Sequence, residues 1–173
     1  MRVFVTGTGR CGTKTFSMAC RHMTNFTSGH ETHAGRIGDL DYPDGHIEAD
    51  PYLVHVLPLM LDKYPGALWV HLLREHETAV PALARRPSLD HYAAFCFQAR
   101  RSPSRRAAAA MLYANTVALL KRLLPEGSMV VQLEQAQDQW PAFWEWIGAD
   151  GDYEASAAEW DRRYNASKDA SKG

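Results

Sequence analysis

Residues 2–20 read RVFVTGTGRCGTKTFSMAC, and the fold turns on how this stretch is parsed. RVFVT is a short run apolar on both faces, as a strand in the middle of a parallel sheet is. TKTFSMAC continues as a helix, and between them lies a loop rich in glycine, threonine and cations. A turn from a parallel strand into a helix aims several backbone N–H groups, and the positive end of the helix dipole, at one point in space. Such a point binds anions. Gly7, Gly9 and Gly12 let the backbone curl around a phosphate without side-chain obstruction. Thr13 and Thr15 add hydroxyl donors, and Arg10 and Lys14 add charge. The plain alternative, a tight turn with surface cations, needs neither so many glycines nor so many donors in one place.

Working outward, the chain has 173 residues, 46% apolar and 23% charged, which suits one domain with a true core rather than two. A net charge of −1 argues against general electrostatic binding of nucleic acid, so any anion site is local. Cys11, Cys20 and Cys96 are an odd set without metal-ligand spacing; they read as reduced thiols, with neither a disulfide framework nor a metal site expected. The apolar stretches are too short or too interrupted for a signal peptide or a membrane span, and a cytoplasmic protein is expected.

Strands and helices alternate along the chain. HIE, ALWVHLL and SMVVQLE read as further strands. Helices are expected across DPYLVHVLPLMLDKYPG, where Asp50 caps, then near HETAVPALARR, near LDHYAAFCFQARR, across RRAAAAMLYANTVALLKRLL, and across DQWPAFWEWIG. The tail from about residue 165 is polar and reads as loose. The predicted architecture is a three-layer, P-loop-type α/β domain over residues 1–173, its central parallel sheet of about four or five strands flanked by helices.

The nucleotide-triphosphate pattern places lysine directly after its second glycine, whereas here Thr13 intervenes between Gly12 and Lys14. GTGRCGTKTF instead resembles the 5′-phosphosulfate loop of the sulfotransferases, in which a cation, a small residue, Gly and Thr follow a strand. The resemblance puts Arg10 at the position of the family's catalytic cation, Cys11 at the small position, and Gly12 and Thr13 at the Gly-Thr pair. KYPGALWVHLLREHETAV is similar to the family's second signature, and implies that Arg74 holds the 3′-phosphate of the donor nucleotide. Eight residues on, Ala82 stands where the family usually has a serine; Arg85, Arg86 or Ser88 are the candidates to replace it, since a phosphate needs donors more than one particular side chain. Gln132, Leu133 and Glu134 fill a third, late motif imperfectly.

The resemblance implies 3′-phosphoadenosine-5′-phosphosulfate as co-substrate, adenosine 3′,5′-bisphosphate as product, and an acceptor hydroxyl or amine on a small molecule, carbohydrate or peptide. GHETHAGR resembles the base-bearing segment of the tyrosylprotein sulfotransferase branch, which makes Glu31 the candidate base; a solvated loop carboxylate is the plain alternative. His30 and His33 are neighbours able to serve instead. Gly9 to Thr15 would hold the phosphosulfate, with Arg10 and Lys14 stabilising charge. The chain is short for this family, so acceptor-binding parts are expected to be reduced or supplied by a second subunit. Cys11, at a helix N-terminus beside cations, has the setting of a reactive thiol, although a small residue fitting the loop is the simpler account. Trp140, Phe143, Trp144, Trp146 and Trp160 read as packing aromatics, and Arg100, Arg101, Arg105 and Arg106 as a solvated helix junction. Two rivals stand beside the sulfotransferase: a P-loop kinase, which would need an acidic Mg²⁺ ligand, and a nucleotide-binding module without catalysis.

Overall fold

The structure, a computed structural model, describes residues 1–33, 36, 39–90, 104–162 and 164. The chain runs β1 (Arg2–Gly7), α1 (Thr13–Cys20), β2 (Thr27–His30) and β3 (His46–Ala49), then a 3₁₀ segment (Pro51–Val56), α2 (Leu57–Lys63), β4 (Leu68–Leu73) and α3 (His76–Ala84). After these come α4 (Arg105–Leu123), β5 (Met129–Gln132), α5 (Ala136–Trp146) and α6 (Tyr153–Ala158). The strands form a five-stranded sheet in the order β2-β3-β1-β4-β5, parallel at every pairing. Helices cover both faces, giving the three-layer α/β domain expected from the alternation.

β1 is the central strand and its Val3, Phe4 and Val5 are wholly buried. Val3 and Val5 face a core made with Phe16, Trp140 and Phe143, where Phe16 meets Trp140 edge-on at 5.1 Å. Phe4 faces the opposite core, with Tyr42, Leu57, Met60 and Trp69. Burial on two sides explains why β1 reads as a continuous apolar run rather than an alternating one.

Three departures from the expected elements have local causes. β2 falls in a stretch to which the sequence assigns no element: TSGH carries no apolar run, because it is a partly exposed edge strand whose place is set by pairing Thr27↔His46 through His30↔Ala49. The expected single helix over residues 51–63 is split. Pro58 lacks an N–H and its ring would strike the carbonyl of Val54, so the chain makes a 3₁₀ segment and restarts as α2 with Pro58 in its first turn. α6 was not foreseen; Asp152 caps it by accepting from the Ala155 N–H at 2.9 Å. Most of the helix expected near LDHYAAFCFQARR, with Cys96, Arg100 and Arg101, and the tail beyond residue 164 lie outside the described residues. Arg105 ties the α3–α4 junction together through the Ala84 carbonyl and an ion pair with Asp90, and Arg106 is exposed. Among the described residues no helix is long and apolar enough to cross a membrane.

The order of strands locates the site. From β1 the chain moves to the β2 edge, returns to β3 beside β1, and then crosses to β4 on the other side of β1. In open parallel sheets the crevice beyond the strands' carboxyl ends, at such a reversal, is where ligands bind. The GTGRCGT loop sits there.

Candidate functional site

The loop after β1 owes its shape to two close approaches. Gly12 occupies the N-cap position of α1 at φ 96°, with no side-chain cap, and a Cβ there would lie 2.5 Å from Leu133 Cδ1. A Cβ on Gly9 would lie 2.1 Å from Nη1 of Arg86. Without glycine at both positions the loop could not press against β5's continuation on one side and α3's end on the other. Cys11 is fully buried, and burial pushes its thiol up to about 12 despite nearby cations. Cys11 is the small residue of the loop, not a thiolate, and its side chain is closed to a ligand.

A cleft of about 670 Å³ opens above this loop. It brings together Arg10, Gly12, Thr13, Lys14 and Thr15 from the loop and α1, Arg74 from the end of β4, and Arg85 and Arg86 from the end of α3. His30 and Glu31 line its far side. Gly9 and Ser88 instead line a smaller adjoining cavity. His33 lies elsewhere: its Nε2 donates to the Asp41 carbonyl at 3.1 Å and its ring meets Tyr42 edge-on. Four guanidiniums thus converge, and the field is felt within the group: the Arg10 guanidinium is held below its ordinary value by burial first, then by Arg86, Arg74 and Arg85. Like charges gathered at an uncapped helix N-terminus are the physical signature of an anion site.

Arg74 is anchored before any ligand arrives. Its Nη1 donates to the Arg10 carbonyl at 2.9 Å and its Nε lies 3.9 Å from Glu134 Oε1. Burial would raise the Glu134 carboxyl, but hydrogen bonds from Gln132, the Glu75 N–H and Thr78 outweigh it and hold the carboxyl below its ordinary value. Gln132 therefore acts through Glu134, while Leu133 backs the loop.

The opposite wall is built by a buried carboxylate. Glu48 in β3 is fully buried and accepts from the Thr32 N–H at 2.9 Å, the Thr32 hydroxyl at 2.7 Å and His46 Nε2 at 3.1 Å. Burial opposes its charge, yet these donors hold the carboxyl below its ordinary value. Glu48 so fixes the turn that carries Glu31. His30 is oriented by donating from Nδ1 to the Ala49 carbonyl at 2.7 Å, which leaves its Nε2 3.7 Å from Glu31 Oε1.

Among the described residues, the non-glycine residues with φ in the left-handed region are Arg10 at 68° and Glu31 at 52°. Each such conformation costs on the order of 1–2 kcal/mol and persists where surrounding contacts impose it, commonly at functional sites. Here they are the candidate cation and the candidate base, facing one cleft.

Asp50, at the end of β3, gives a pH prediction. Its carboxyl is raised from 3.8 to about 6 by burial first and then by Glu48 and Glu31, although it accepts from the Tyr52 N–H at 2.7 Å. A raised carboxyl means that the folded state binds the proton more tightly, so its contribution to stability falls as pH rises from about 4 to about 6. Asp50→Asn keeps an acceptor for Tyr52 without the charge. It should stabilise the fold by about 1–3 kcal/mol at pH 7, with the gain vanishing below pH ~4; urea unfolding at a series of pH values checks this, and a gain independent of pH would refute it.

Sequence reasoning missed the cleft wall formed by Thr78, Gln137, Trp160, Arg162 and Tyr164. Trp160 packs edge-on against Phe16 as expected of a packing aromatic, but it also lines the cleft. Glu159 gathers this segment by accepting from His22, Arg162 and Tyr164; the doubled arginine after Trp160 was the available signal. No protein-family model matches this chain, and no curated protein matches it.

Proposed function

We propose that the chain is a sulfotransferase that moves a sulfuryl group from 3′-phosphoadenosine-5′-phosphosulfate to a hydroxyl or amine. One observation carries the reading: Arg10, Lys14, Arg74, Arg85 and Arg86 meet the uncapped N-terminus of α1 in one cleft whose far side holds Glu31 and His30. The loop from Gly9 to Thr15 would hold the phosphosulfate, and Arg74, with Arg85 or Arg86, the 3′-phosphate. Glu31 would take the acceptor's proton. The acceptor oxygen or nitrogen then forms a bond to sulfur as the bond from sulfur to the bridging phosphate oxygen breaks, its electron pair leaving with the 5′-phosphate. Arg10 and Lys14 would neutralise the charge that develops on that oxygen. These cations already balance the donor's charge, so the step is written without a metal.

The first test is ligand choice. Adenosine 3′,5′-bisphosphate should raise the melting temperature without Mg²⁺, whereas a kinase would respond to ATP with Mg²⁺. Donor turnover then separates an enzyme from a silent nucleotide-binding module.

Arg74→Ala should weaken binding of the bisphosphate by about 1.5–3 kcal/mol, the scale of a charge-assisted hydrogen bond. Because Arg74 also pins the Arg10 carbonyl, a nucleotide lacking the 3′-phosphate should lose a smaller amount. Equal losses for the two nucleotides in calorimetry would mean that Arg74 acts only through the loop.

A further inference from the structure

A second cavity, of about 110 Å³, is lined by Gly9 and adjoins the cleft. Arg86 and Pro51 line both spaces, so the two meet at the guanidinium that rests on Gly9 and at the residue following Asp50. The walls are Val54, Leu83, Leu89 and Leu112, with the buried hydroxyl-bearing Thr8 and Thr116 beside them. Tyr52, His55 and Ser88, all exposed, also border the space. Among the described residues no Asp, Glu or Lys lines it.

From this placement we infer that the cavity seats the acceptor, and that the acceptor is a small, neutral or anionic, largely apolar hydroxyl compound such as a phenol or a cyclic alcohol. The inference rests on the sulfotransferase reading of the adjoining cleft. Size sets the first limit: an apolar cavity of about 150 Å³ holds one benzene ring, so this one takes a single ring or a branched alkyl group. Polarity sets the second. A sugar's hydroxyls directed at the leucine and valine walls would lie desolvated and unpaired. Charge sets the third, since an amine cation would meet Arg86 and find no carboxylate.

Position gives the cavity its role. A ring held against Val54 and Leu112 would direct its hydroxyl past Pro51 and Arg86, which border the cleft that holds Glu31 and Arg10. The hydroxyl oxygen would form the bond to sulfur, its proton would pass to Glu31, and the bond from sulfur to the 5′-phosphate oxygen would break with its electrons leaving on the bisphosphate. Arg86 would then stand between acceptor and donor rather than at the 3′-phosphate.

The test measures turnover of the full chain with 3′-phosphoadenosine-5′-phosphosulfate and either phenol or glucose, beside calorimetry with adenosine 3′,5′-bisphosphate alone. Phenol should be sulfated with kcat/KM at least roughly tenfold above glucose. Leu112→Trp, which fills the cavity from a half-buried helix position, should raise KM for phenol about tenfold or more and leave bisphosphate affinity within about twofold. Ser88→Trp, at an exposed site, gives the same readout without disturbing the core. Wild-type KM for phenol in both folded variants, or equal turnover of glucose, overturns the acceptor seat while bisphosphate binding keeps the transferase reading intact. Failure of the bisphosphate to bind overturns that reading, and the acceptor role with it.

Discussion

Glu31→Gln should leave the melting temperature and bisphosphate affinity near wild type while turnover falls on the order of 10²–10⁴-fold. Glutamine keeps the size and most of the hydrogen-bonding capacity of glutamate and loses only the proton affinity. Both side chains bear the same cost at φ 52°, so the comparison is free of a backbone effect. Turnover assayed at saturating donor across pH should also lose its acid limb. His30→Asn is the paired measurement, because His30 presents Nε2 at 3.7 Å from the Glu31 carboxylate and its Nδ1 is already committed to Ala49. If His30→Asn abolishes the rate while Glu31→Gln stays active, the base is the imidazole. If Glu31→Gln retains both full rate and the acid limb, Glu31 has no part in the proton transfer.

Arg10→Gln should reduce turnover by about 10²–10³-fold, the usual effect of removing one donor from a developing anion. Its effect on stability should have the opposite sign or none. Burial first, and then Arg86, Arg74 and Arg85, hold the Arg10 guanidinium below its ordinary value, so deleting its charge removes a desolvation cost and relieves repulsion in the unliganded protein. Arg10→Gly sharpens the contrast. Glycine removes the charge and also suits φ 68°, so this variant should melt higher than wild type by an amount corresponding to about 1 kcal/mol and be as poor a catalyst as Arg10→Gln. Gains in stability with losses in rate at one residue mark a position held for function. A parallel fall of melting temperature and rate in both variants would instead make Arg10 a structural residue of the loop.

How far each feature could be read beforehand follows from how local its cause is. The β1–loop–α1 unit was legible because its signals are contiguous: an apolar run, glycines, then a helix. So were α4, whose Ser104 cap accepts from the Ala107 N–H at 3.2 Å, and α5 with its aromatic face. β2 was not legible. TSGH becomes a strand by pairing with His46–Ala49, a partner that lies beyond an intervening loop. Arg10 and Lys14 could be nominated from the loop's composition, and Arg74 from the resemblance of KYPGALWVHLLREHETAV to the sulfotransferases' second signature. The role of Glu48 could not, since its importance lies in the bonds to Thr32 and His46 that bury it. Nor could the smaller cavity, whose lining comes from β1, the 3₁₀ segment, α3 and α4.

The sequence by itself determined the alternation of strands and helices, the glycine-rich turn from β1 into α1, and the cations and hydroxyls carried on that turn, because these depend on neighbouring residues and on backbone geometry within a few positions. Only the tertiary structure decided that Arg74, Arg85 and Arg86 converge on Arg10, that Cys11 is sealed as a thiol, and that His30 and Glu31 face the same cleft. The physical reason is the parallel sheet. It brings the carboxyl ends of strands that are distant in sequence to one edge, and the reversal of strand order around β1 opens the crevice in which their charges meet.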